Sequence, residues 1–122
     1  MPSVKDALKA VFQKNSSKIQ DLAKELNREQ KMINDLQRDK AYLDVEIDKG
    51  EYGDGESAKL AQKNVDNIQK QIDDKFKAAN DIINKVERLG GKEQARAMRH
   101  LLNQQGNEKN VEGFKAQARG VR

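Results

Sequence analysis

Residues 19–47 read IQDLAKELNREQKMINDLQRDKAYLDVEI, and their apolar members Ile19, Leu22, Leu26, Ile33, Leu36, Leu43 and Ile47 step by three and four. An α-helix turns once every 3.6 residues, so this spacing lays the set along one stripe. Upstream, Leu8 and Phe12 keep the same frame through Asn15, and Glu29 and Lys40 interrupt it. The repeat persists beyond the three or four heptads that mark a coiled coil. A second run covers Ala61, Val65, Ile68, Ile72, Ala79, Ile82, Val86 and Leu89, with Lys75 as its interruption. Between the runs, Lys49 to Glu56 holds three glycines in eight residues, which disfavours helix and permits the positive φ of a tight reversal.

The two runs test each other. In an antiparallel hairpin the numbers of facing residues add to a constant, and 108 pairs Ile47 with Ala61, Leu43 with Val65, Leu36 with Ile72, Leu26 with Ile82 and Leu22 with Val86. The same constant sets Lys40 against Ile68, Lys75 against Ile33, and Glu29 against Ala79. Lysine lays its methylenes on apolar surface while its ammonium stays wet, and polar seam residues penalise slipped registers. The expected fold is all-α: a long antiparallel coiled-coil helical hairpin over residues 1–89, turning at about 50–55, then a short helix and basic C-terminal tail over 90–122.

Pro2, Ser3 and Asp6 make a start signal for the first helix. Running to about residue 49, that helix is roughly 70 Å long, against about 50 Å for a second helix over 56–89. Val4, Leu8, Val11 and Phe12 then overhang and need a cover. Gly90-Gly91 breaks the frame, and the apolar set shifts to Ala95, Met98, Leu101 and Leu102. A re-aimed helix over about 92–105 is expected, with Met98, Leu101 and Leu102 packed on the overhang. From Asn107 onward, Val111, Phe114 and Ala118 keep helical spacing that Gly113 and Gly120 weaken.

Composition bounds the rest. The chain has 122 residues, 36% of them charged, with no Cys, no Trp and one His. That size suits one domain, and the absence of Cys removes disulfide and thiolate chemistry. No apolar run exceeds three residues, so the sequence carries neither a membrane span nor a signal-peptide core, and the expected location is the cytoplasm or the inside of a virion. Residues 1–89 contain 17 basic and 17 acidic side chains, whereas 90–122 contain 7 and 3. The whole excess of +4 sits in the last third. Lys92, Arg96 and Arg99 share a helical face there, and Lys109, Lys115, Arg119 and Arg122 follow. Such a set suits phosphates or an acidic protein surface, or else a solvated face. Phe114 is its only aromatic, so base stacking is not suggested.

Nothing in the sequence assembles a catalytic constellation, and no enzyme, cofactor or metal site is expected. His100 has no partner placed by spacing. Asp35/Asp39 and Asp44/Asp48 sit at i,i+4 without a histidine to complete a metal set, and Asp54-Gly55-Glu56 lacks the twelve-residue calcium pattern. Beyond the seam, Met32, Phe76 and Ile83 form a second apolar stripe suited to a third helix or another copy, and Tyr52 stands at the glycine-rich tip. The expectation is a non-enzymatic structural or adaptor protein: a coiled-coil spacer docked in a larger assembly such as a virus or phage particle, with protein partners or homo-oligomers. Nucleic-acid association through the basic third is the alternative, and a small helical inhibitor or chaperone offering Met32, Phe76 and Ile83 is a third reading.

Overall fold

The computed structural model describes the backbone of residues 4–120 and the side chains of residues 15–120. Four helices make up the described residues, with no strand: α1 (Val4–Asp48), α2 (Glu56–Arg88), α3 (Lys92–Gln105) and α4 (Glu108–Ala118). At 1.5 Å per residue, the 45 residues of α1 span about 68 Å and the 33 of α2 about 50 Å.

Glycine sets both reversals. Gly50 follows the end of α1 at φ 77°, and its N–H and that of Glu51 donate to Ile47 O and Glu46 O. Gly90 follows α2 at φ 93°, and its N–H and that of Gly91 donate to Glu87 O and Val86 O. Both are the paired 5→2 and 6→1 closure in which a residue without Cβ takes the left-handed conformation and satisfies the last carbonyls.

α1 and α2 pack along one another in opposite directions. Asn15 Nδ2 donates to Leu89 O at one end (3.3 Å), Lys75 Nζ lies 3.2 Å from Glu29 Oε2 in the middle, and Lys40 Nζ donates to Gln69 Oε1 nearer the tip (2.6 Å). Leu26, Ile33, Val65, Ile72, Ala79, Ile82 and Val86 are buried, and Ile19, Leu22, Leu36, Leu43 and Ile47 are half-buried. Two polar interruptions also answer each other: Glu29 and Lys75, one turn apart in the register, pair across the interface beside the buried Ile33 and Ala79.

The C-terminal third differs from expectation in direction. The reversal at Gly90 seats Gly91 beside Ile19 and Val86 and sends α3 back along α2 toward the tip, not out over the overhang. Ala95 and Leu102 are buried with Ile33, Ile82 and Ile83, and Met98 packs against that cluster. Leu101 is 56% exposed, so it does not share the role of Leu102. The side chains of Val4, Leu8, Val11 and Phe12 lie outside the described residues. Beyond Gly106 the expected tail is a helix, because Asn107 caps it by accepting from Asn110 N–H (2.9 Å), and α4 packs on α1. Ala41 and Val45, off the α1–α2 interface, are buried on the helix that α4 covers.

Candidate interaction surfaces

Two sides of the α1–α2 pair have different fates. In an antiparallel pair, a residue just before an interface position on one helix and a residue just after one on the other fall on opposite sides. Met32 precedes Ile33, whereas Phe76 and Ile83 follow Lys75 and Ile82. The expected stripe is therefore split. Ile83 is fully buried and Phe76 half-buried in the cluster that α3 completes, and Phe76 lies directly under Gly106. Met32 is 48% exposed. The third helix packed beside Phe76 and Ile83 is α3 of the same chain, which takes Ile83 off the surface and leaves Phe76 half-buried beside Gly106.

An amide cluster fastens the covered side. Gln37, only 6% exposed, donates through Nε2 to Gln105 O (2.9 Å), and Gln105 Nε2 donates to Gln30 O (2.6 Å). Asn110 Nδ2 donates to Gln105 O (2.9 Å) and to Gln37 Oε1 (3.3 Å). The last carbonyl of α3, the first turn of α4 and the flank of α1 are thus joined by side chains that sequence reading passed over. Their signal was present: Gln30 and Gln37 are seven apart, one position after the interface on the side of Phe76. Truncating Asn110→Ala leaves the acceptors short of a donor and is expected to cost about 1–2 kcal/mol. Amide hydrogen exchange should then accelerate in α4 while α2 keeps its protection.

The basic residues of α3 and α4 do not form one patch. Arg99 Nη2 donates to Glu87 Oε2 and to Asn84 Oδ1 (2.9 Å), binding α3 to α2. Lys92, Arg96, Lys109 and Arg119 are exposed, and Arg122 lies outside the described residues. Lys115 is half-buried at an open groove of about 700 Å3 to which all four helices contribute, lined by Ile72, Phe76, Leu102 and Val111 together with Asp44, Asp73 and Asp81. Tyr52 is half-buried and donates to Glu46 Oε2 (2.7 Å), which raises its phenol above the usual value. His100 is exposed, and among the described residues no three His, Cys, Asp or Glu side chains gather as a metal would need. No described helix is long and apolar enough to cross a membrane.

The hydrogen bond from Arg99, together with its charge, holds the Glu87 carboxyl below the ordinary carboxylate value. A carboxylate with a depressed folded-state pKa stabilises above its unfolded value and loses that contribution as pH falls through the folded one. Urea midpoints of the wild type and of Glu87→Gln should therefore differ at pH 6 and converge as pH drops below about 4. Comparison with protein-family models, with curated proteins and with solved structures finds no match for the chain.

Proposed function

We propose that the protein is a non-enzymatic structural or adaptor component, a coiled-coil hairpin that acts as a stiff spacer inside a larger assembly. The observation that carries this reading is the bracing of α1. α1 is bonded at Asn15 to the Leu89 carbonyl just past α2, and at Glu29 and Lys40 to side chains of α2. It is bonded at Gln30 and Gln37 to Gln105 of α3, and at Gln37 to Asn110 of α4, so the 45-residue helix is held from residue 15 to residue 40. An isolated helix frays and bends, and lateral packing is what gives it a fixed length. The buried amide of Gln37 is engaged in this bracing.

The spacer presents two unlike ends. Around the Gly90 turn, Lys18, Lys85, Arg88, Lys92 and Arg96 come from three helices, against Asp21, Glu87 and Glu93. Residues 44–56 at the tip carry six carboxylates (Asp44, Glu46, Asp48, Glu51, Asp54 and Glu56) against Lys49 alone. A basic end on a stiff rod suits an acidic or phosphate-bearing neighbour.

Fractionation of cells that contain the protein tests the proposal. The full chain should travel with a complex far larger than a few copies, and Lys92→Glu with Arg96→Glu should release it. A wild-type chain found only as free, low-mass protein overturns the spacer reading. Nucleic-acid binding is a distinct outcome: affinity for duplex or single strands would fall steeply with salt, in proportion to the phosphates neutralised.

A further inference from the structure

Among the described residues the side of the α1–α2 pair opposite α3 has no cover, yet it is not a uniformly solvated face. Three of the four exposed large apolar side chains, Met32, Tyr42 and Leu60, fall on it by their helical positions. Near the Gly90 end, the same side carries an open hollow of about 460 Å3 floored by Leu22 and Leu89 and ringed by Lys18, Asp21, Lys85 and Arg88. Near the tip, Tyr42 is flanked by Asp39 and Glu46, neither of them ion-paired among the described residues. One end of the face is an apolar hollow with a basic rim. The other is an apolar projection with an acidic rim.

We propose that two copies of the chain pair antiparallel through this face, with the two-fold axis passing at Met32. A two-fold of that kind lays α1 on α1 so that facing residue numbers add to a constant, and an axis at Met32 makes it 64. Tyr42 then meets Leu22 in the hollow of the second copy, Glu46 meets Lys18, and Asp35 falls beside Arg28, one step off the register. The like-charged facing of Asp39 with Glu25 has Arg28 within a turn. Every favourable pair occurs twice, as an isologous interface requires. Contact from residue 18 to residue 46 along two helices covers roughly 800 Å2 per copy, the size of a standard stable interface. The proposal deepens the spacer reading by naming one neighbour, a second copy of the same chain.

The chain has no cysteine, so Met32→Cys and Asp54→Cys each give a single attachment point for a spin label on the full protein. Sedimentation should give a dimer, with a label-to-label distance under about 20 Å at residue 32 and about 55 Å at residue 54. Met32→Lys should raise the dimer Kd at least tenfold with helicity unchanged, and 0.5 M salt should weaken the wild-type dimer by screening the rim pairs. A monomer at 50 µM overturns the proposal. So does a dimer with a short distance at residue 54, or one indifferent to Met32→Lys. None of these outcomes decides whether the chain travels with a larger complex, and loss of that complex would leave the dimer measurement standing.

Discussion

Ile83→Asp is expected to detach the C-terminal third from the α1–α2 pair and to cost about 4 kcal/mol or more. The side chain is fully buried in an apolar cluster with Ile33, Ile82, Ala95 and Leu102. An aspartate there either stays charged in an apolar cluster or folds only as the acid, and both outcomes penalise the native state. Thermal unfolding should move down by more than about 10 °C, with α3 amides losing protection first. Met32→Asp is the control. It adds the same charge to what the sequence reads as the same stripe, but on a half-exposed site, and its effect on monomer stability should stay within about 0.5 kcal/mol.

Gly91→Ala is expected to cost about 2–3 kcal/mol, more than its single methyl suggests. A Cβ at Gly91 would stand 2.9 Å from Val86 Cγ1, 3.1 Å from Ile19 Cδ1 and 3.1 Å from Val86 O. Retreat is blocked from both directions. The Gly91 N–H donates to Val86 O (3.0 Å), and its carbonyl accepts from Ala95 N–H (2.8 Å) in the first turn of α3. Val86 is branched at Cβ and fully buried, so it cannot swing away. The methyl must therefore push α3 off α2 at its root. Urea unfolding should show the loss in midpoint, and Gly113→Ala, which meets open space within α4, should stabilise slightly instead.

These two sites mark where sequence reading reached and where it stopped. Period is local arithmetic, so the helical runs and the glycine breaks at 50–55 and 90–91 were legible in the sequence. Which residues flank an interface on the same side was not. Met32 and Phe76 share a level, but the side depends on whether each precedes or follows its interface neighbour, and in antiparallel helices that relation inverts. The path of α3 was hidden for a different reason. Two φ angles near Gly90 decide whether the chain runs outward or doubles back, and a glycine permits both. α4 was readable only as spacing, since Gly113 lowers helix propensity in its middle and its support comes from α1 and from the Asn107 cap. The amide cluster left only the seven-residue spacing of Gln30 and Gln37 as a trace, because its bonds join Gln30, Gln37, Gln105 and Asn110 through carbonyls as much as through side chains.

The return of α3 along α2 also sets an order of events at the ribosome. Gln105 reaches the flank of Gln30, 75 positions earlier in the sequence, and the groups that cover Phe76 and Ile83 are made after both of them. While residues 90–120 are still in the exit tunnel or newly emerged, the finished part of the chain carries a bare apolar strip that later synthesis will bury. Contacts so distant in sequence close slowly, and an exposed strip of this kind recruits neighbours in the meantime. Premature termination near Leu89 would make that interval permanent. Its product would keep the α1 and α2 sequences while leaving Phe76 and Ile83 without their cover, so quality control of this protein falls on residues 90–120.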